Sequence, residues 1–226
     1  LTRASIHLRK TFSKRMDCRV KPGNDERKRE VFVMNASTEL VARSSAPFAI
    51  RGERASDVAA REKLLDASFG TNRHLRTCQR LRDGRTPAQG LAFTAIRNGK
   101  LVGTVRLWRV DAGGAAALVL GPLAVDPSCR SFGVGAALIR HALIAAAARG
   151  HAAVILLGDA AYYGRFGFSA AKTANLSLPG PFERERLLAL ELRQGALDGA
   201  CGLIVPTGAA VARPSPKPRR QATRAA

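Results

Sequence analysis

Residues Arg130-Ser131-Phe132-Gly133-Val134-Gly135 place an arginine and two glycines within six positions, directly ahead of a long apolar stretch, and that combination can hold an anion. Where a strand hands over to a helix, the first N–H groups of the helix have no intrahelical acceptor, and the helix dipole favours negative charge. Gly133 and Gly135 omit the β-carbons that would keep a phosphate off the main chain, and Arg130 can add a charge-assisted contact. The same two glycines also suit a bare strand-to-helix turn, so the pattern alone is a weak signal. Its spacing is neither the G-x-G-x-x-G of a dinucleotide fold nor the G-K-[ST] of a Walker loop. Cys129 adjoins the loop, but no His and Asp pattern is present to activate a thiolate. His141 and His151 are ten residues apart and fall on different faces, and the four cysteines are scattered without a CxxC pair, so no metal site is expected.

The elements that must position this loop are legible around it. A short apolar strand is expected at Phe48 to Arg51, then a helix from Ser56 or Asp57 to about Phe69, closed by Gly70. A weaker helical stretch covers Arg73 to Leu81. Asn98-Gly99, between Leu91–Arg97 and Lys100–Val110, predicts a β-hairpin, because a type I′ turn needs two residues at positive φ. Asp111 to Ala115 read as a flexible link into a strand from Ala116 to Val125. Gly121-Pro122 lies inside that strand, where proline has no N–H for the ladder, so a bulge or parting is expected there. An alanine-rich helix follows from about Gly133 to Arg149 with Gly150 as its terminator, then an apolar strand, Ala153 to Leu157. Strand, helix and strand suggest a parallel crossover. Asn175–Leu178 and Leu187–Leu192 complete about seven strands of a mixed α/β domain.

The stretch LGPLAVDPSCRSFGVGAALI (Leu120 to Ile139) resembles the GNAT superfamily of N-acetyltransferases, in which a strand ending L-A-V-D-P leads into R-x-x-G-x-G and a long helix. Tyr162-Tyr163-Gly164-Arg165-Phe166-Gly167-Phe168 is similar to the Y-x-x-hydrophobic-G-F element that follows that family's fifth strand. The spacing LLGDAAYYGRFGF is most similar to the YhbS-like branch. The resemblance covers about residues 47–206.

It implies a GNAT fold: a mixed sheet of about seven strands, splayed between the fourth and fifth and flanked by helices. It also implies acetyl-CoA as co-substrate, lying in the resulting V. Leu123, Ala124 and Val125 would hold the pantetheine arm, and Arg130, Ser131, Phe132, Gly133, Val134, Gly135 and Ala136 the pyrophosphate. An N–H of Leu123 or Val125 would polarise the thioester while a neutral amine attacks directly. Tyr163 is then the candidate acid for the departing thiolate, with Tyr162 as the alternative. Asp159 stands at the expected mouth of the V, where it could bind a cationic substrate or relay a proton; an ordinary turn-forming Asp fits the same position. Trp108 reads as a core or cleft-wall residue. The acceptor is an amine of a small molecule, peptide or protein, and the family's frequent dimers leave a homodimer open.

Composition sets the remaining bounds. The formal charge of +20 is uneven: residues 1–33 hold ten Lys/Arg against four Asp/Glu, and residues 213–226 hold five against none. A basic nucleic-acid-binding protein is therefore one alternative, and a CoA-binding fold without catalysis another. Aromatic residues, at 5%, are too few and not interleaved with basic ones, and no nucleic-acid-binding motif is present. No uncharged apolar run reaches the roughly 18–20 residues a membrane span needs, and no secretory signal is evident, so a soluble cytoplasmic protein is expected. Residues 1–46 are expected to form a basic disordered leader and 207–226 a basic Pro-rich tail. MDCRVKPGNDE (Met16 to Glu26) resembles peptides produced when repetitive intergenic DNA is translated, which makes Met34 one candidate start; an ordinary basic leader or an Arg-rich targeting peptide is the alternative.

Overall fold

The computed structural model describes residues 47–211; the expected leader and most of the expected tail lie outside the described residues. In order along the chain are β1 (Ala49–Gly52), α1 (Val58–Phe69), two 3-10 turns (Thr71–Leu75 and Thr77–Leu81), β2 (Ala92–Arg97), β3 (Lys100–Ala112) and β4 (Ala115–Leu120). Then come β5 (Ala124–Val125), a 3-10 turn (Pro127–Phe132), α2 (Val134–Ala148), β6 (Ala153–Leu157), α3 (Ala160–Gly164), β7 (Leu176–Ser177), β8 (Leu187–Glu191) and β9 (Gly202–Pro206).

β3 is the spine of a mixed sheet with the order β1-β2-β3-β4-β6-β8. Its 13 residues are long enough for each edge to serve two partners: β2 and then β9 on one side, β5 and then β4 on the other. Asn98 (φ 49) and Gly99 (φ 73) make the expected primed turn between β2 and β3. The expected flexible link at Asp111 to Ala115 is instead a second tight turn. Ala112 pairs with Ala115 across Gly113-Gly114, and the Gly114 N–H donates to Asp111 Oδ1 at 2.8 Å. A β-carbon on Gly113 would lie 2.2 Å from the Cys201 carbonyl oxygen, so the turn is closed by packing against the chain that enters β9.

Alternation along the strands feeds two cores on opposite faces of the sheet. Leu118, Val154 and Leu188 point to the α2 side, where Val134, Leu138, Ala142 and Ala146 form one seam at helical spacing. Their neighbours Val119, Ile155 and Leu187 point the other way, onto Leu81, Leu176, Leu197 and Ile204. Gly103 lets α2 approach closely: a β-carbon there would be 2.9 Å from both Leu138 Cδ1 and Val134 Cγ1.

Several expectations need correction. The stretch Arg73 to Leu81 is not a helix but two 3-10 turns. Asp57 does not cap α1 from its side chain; its carboxylate turns back to Arg54 N–H (2.8 Å) and to the Arg51 guanidinium. Among the described residues there are nine strands, not seven, because β5 is separate from β4 and β9 was not anticipated. The folded domain also runs past Pro206: Thr86 N–H donates to Ala209 O and Val211 N–H to Gly84 O, each at 2.8 Å.

Candidate active site

The site begins where β4 and β6 part. The two strands are parallel neighbours, but they pair only at Leu118–Val154 and Val119–Ile155. Beyond that point β6 keeps only its β8 partner, while the other chain turns aside through Gly121-Pro122-Leu123. Leu107 pairs with Leu120 and Thr104 with Ala124, so two residues of β3 face three, which is the bulge the proline called for. Gly121 N–H still donates to Arg106 O at 2.9 Å, and the Gly121-Pro122 peptide is cis.

Register decides which way the main chain faces after the bulge. Asp126 N–H donates to Val102 O at 2.9 Å, making Val102–Asp126 a hydrogen-bonded pair of the antiparallel ladder. Alternation then makes Gly103–Val125 a non-bonded pair, so the N–H and C=O of Val125 point away from β3, into the gap left by β6. Leu123 lies in the bulge, and among the described residues no backbone carbonyl accepts from its N–H.

Two cavities meet along this edge, sharing Phe69 and Leu123. The smaller, about 330 Å³, is lined by Leu123, Ala124, Val125, Arg130, Gly135 and Tyr162, together with Ser68 and Phe69 of α1. Its floor is the start of α2. Gly133 takes φ 72 as the N-terminal boundary residue, and Ala137 N–H makes a bond back to Gly133 O at 3.0 Å. The N–H groups of Val134, Gly135 and Ala136 precede that bond and face the open helix end. Asp126 braces the approach by accepting from Ser128 N–H (2.9 Å) and Ser128 Oγ (2.6 Å), which lowers its carboxyl below the ordinary range. Ser131 and Phe132 are exposed on the loop, and the Arg97 guanidinium stands 4.0 Å from the Phe132 ring centroid. Arg97 was not singled out from sequence, since it is 33 residues ahead of Arg130 and reaches the loop only across the sheet. Val134 is fully buried, so only its main chain is available to a ligand.

The larger cavity, about 620 Å³, opens on the other side of the bulge. Gly121, Pro122 and Leu123 form one wall, Gly158, Asp159 and Tyr163 a second, and the two 3-10 turns with residues 181–186 close it. The adjacent tyrosines are divided between the cavities. Tyr162 lies over the α2 N-terminus, whereas Tyr163 packs on Gly158 so closely that a β-carbon there would be 2.3 Å from its Cε2. Their rings meet edge to face at 5.0 Å. Burial, with a contribution from Tyr162, pushes the Tyr163 hydroxyl up to about 12. Asp159 is the N-terminal cap of α3: its Oδ1 accepts from Tyr162 N–H at 2.7 Å. Its position on the cavity wall is as expected, but its carboxylate is engaged in orienting the turn that carries both tyrosines.

The remaining candidates are structural. Cys129 is buried, with Ser128 Oγ and Arg97 Nη1 each 3.7 Å from its sulfur. His141 packs edge to face on Phe93, and Trp108 belongs to the second core. Among the described residues no group of three or more His, Cys, Asp or Glu side chains is placed to hold a metal, and no helix is long and apolar enough to cross a membrane. Sequence reasoning also missed a linked set of ion pairs that fixes α1 and the turn after it. Glu53 binds Arg61 and Arg106, Arg61 and Arg73 bind Glu62, and Arg73 reaches Asp66 at 2.7 Å. Arg106 and Glu53 are 53 residues apart, so no local pattern announces them.

Comparison with known proteins agrees with this geometry. Residues 88–170 match the model of the acetyltransferase (GNAT) domain. The chain is 32% identical over 157 residues to the uncharacterized N-acetyltransferase YhbS of Escherichia coli K12, spanning 69% of this chain and 93% of that protein. The crystal structure of E. coli YhbS in complex with CoA superposes with a TM-score of 0.62 at 30% identity, covering 72% of this chain and 91% of that one. A GNAT-family acetyltransferase from Brucella melitensis in complex with acetyl-CoA gives a TM-score of 0.50 at 26% identity, over 65% of this chain and 88% of that one. With the strand splay, the bulge and the glycine loop all in place, the chain belongs to the GNAT family of acyl-CoA-dependent N-acetyltransferases.

Proposed function

We propose that this enzyme binds acetyl-CoA in the smaller cavity and transfers its acetyl group to an amine that enters through the larger one. The observation that carries the reading is the outward-facing Val125 main chain beside an open α2 N-terminus. Val125 and Leu123 offer N–H and C=O groups at the sheet edge to which an extended amide-bearing arm adds as a further strand. The Val134, Gly135 and Ala136 N–H groups, with Arg130, suit the pyrophosphate. Ser131 and Phe132 border that site from the exposed loop, and the buried Ala124 holds the strand against Leu64 and Leu65.

Chemistry follows from where the two cavities meet. The amine nitrogen attacks the acetyl carbon directly, forming the new C–N bond as the C–S bond breaks. A main-chain N–H of Leu123 or Val125 stabilises the charge on the carbonyl oxygen. Tyr163 gives its phenolic proton to the departing sulfur, and the proton shed by the amine returns through solvent to restore the phenol. The phenol is protonated at neutral pH and so carries the proton to give. Asp159 acts by positioning, through its cap on α3.

The test is product formation. The full-length enzyme incubated with acetyl-CoA and a panel of primary amines is expected to release CoA thiol in step with an N-acetylated product identified by mass spectrometry. A modified enzyme side chain that accumulates before product would contradict direct attack.

A further inference from the structure

The larger cavity contains a guanidinium that, among the described residues, makes no ion pair. Arg82 lies just past the 3-10 turn Thr77–Leu81 and lines the cavity that Tyr163 also lines. Its Nε donates to Cys78 O at 3.1 Å, and its guanidinium carbon stands 5.4 Å from the Trp108 ring centroid. Among the described residues neither Nη has a hydrogen-bond acceptor, and no carboxylate lies within the 4.0 Å of an ion pair. Asp83, next in the chain, is held by Gln79 Nε2 at 2.6 Å.

Of the other cations of this cavity, two are paired with acids and one is exposed. Arg73 is neutralised by Glu62 and Asp66, and Arg186 stands 3.5 Å from Glu183. Arg76 is exposed, with Nη2 3.4 Å from Phe69 O. Of the two acids on the wall, Glu183 faces Arg186 and Asp159 caps α3. A half-buried guanidinium with no carboxylate in direct contact costs free energy, and burial, with Arg73 adding repulsion, lowers the Arg82 pKa against the opposing pull of Cys78 and Asp83. Such a group is compensated when an anion arrives, and its planar Nη pair matches two oxygens of one acid.

We propose that the acceptor amine carries an anionic group, a carboxylate or a phosphate, that docks on the Nη pair of Arg82 while its amino group lies beside Tyr163. This rests on the assignment of the larger cavity to the acceptor. It makes the substrate an amino-acid-like or aminoalkyl-phosphate molecule, and the same arginine disfavours polyamines and lysine-rich protein tails.

The experiment is a matched acceptor panel with the full-length enzyme: L-amino acids against their carboxamides, and O-phosphoethanolamine against ethanolamine. Acetyl-CoA affinity is measured separately by calorimetry. The acid member of at least one pair is expected to have a kcat/KM about 10- to 100-fold above its neutral partner, the range of one charge-assisted pair. Preference within the first pair identifies a carboxylate, within the second a phosphate. Arg82→Gln should remove that preference through KM while leaving acetyl-CoA affinity unchanged. Arg82→Lys, which keeps the charge, should lose part of it and serves as the readout if the Gln variant does not fold. Equal use of both members, preference for the neutral one, no turnover of any acid, or discrimination that survives in Arg82→Gln and Arg82→Lys would overturn the proposal. Loss of acetyl-CoA binding by the wild-type enzyme would instead remove the cofactor assignment beneath it.

Discussion

The hydroxyl of Tyr162 lies 3.0 Å from the point where a β-carbon on Gly135 would stand. Val125 Cγ2 is 3.5 Å from the same point, so helix start, strand edge and tyrosine converge in the cavity proposed for acetyl-CoA. Any side chain at position 135 fills that space. Gly135→Val is expected to weaken acetyl-CoA binding about tenfold or more, roughly 1.4 kcal/mol, with the circular dichroism spectrum unchanged. Calorimetry checks it.

Gly133 has nothing within 4 Å of its would-be β-carbon, so its requirement is conformational: φ is 72. Asp and Asn both tolerate that region better than other non-glycine residues. Gly133→Asp should therefore fold and lose acetyl-CoA affinity through charge, while Gly133→Asn retains it within a few-fold. Equal affinities for the two variants would mean that no phosphate sits at the helix start.

The elevated Tyr163 hydroxyl sets a pH signature. With its pKa at about 12, the phenol stays protonated well past the point where an ordinary tyrosine ionises. Wild-type kcat should show no alkaline decline up to about pH 10.5, and Tyr163→Phe should lower kcat about 10- to 100-fold without changing acetyl-CoA affinity. Tyr162→Phe, altering the other cavity, should affect KM for acetyl-CoA more than kcat.

Asp159→Ala removes a helix cap and is expected to cost about 1 kcal/mol of stability, read in a urea melt. Asp159→Asn keeps an acceptor for Tyr162 N–H and should keep kcat as well. A large loss of kcat in the Asn variant would give the carboxylate a role in proton transfer.

Asp57 ties β1 to α1 through Arg51, with contacts at 2.6 and 2.9 Å. The Arg51 hydrogen bonds hold its carboxyl at about 2, below the unfolded value, so its contribution is complete above the unfolded pKa near 4 and is lost as pH falls toward 2. Wild-type stability should decline across that window, and Asp57→Asn should flatten the decline while lowering stability at neutral pH.

Local signals carried the parts of this fold that are local. Asn98-Gly99 announced its turn because φ preference is a property of two residues, and Ala153–Leu157 stood out as an apolar run between a glycine-closed helix and Gly158. The glycines that open α2 were legible for the same reason. β9 escaped because Gly202–Pro206 acquires its meaning only beside Val110–Ala112, more than 90 residues earlier. Arg82 was equally silent: nothing in its neighbours says that Trp108 will lie against it or that Asp83, next in the chain, will bond Gln79 instead.

The most direct test is calorimetric titration of acetyl-CoA into the full-length protein at moderate salt, with ATP and NAD as controls for the attraction of any anion to a chain of charge +20. Saturable one-to-one binding of acetyl-CoA, with the two controls at least tenfold weaker, is the predicted result. Folded protein that binds all three alike, or none of them, would contradict the assignment of the strand splay and the Arg130–Gly135 loop to the acyl-CoA site.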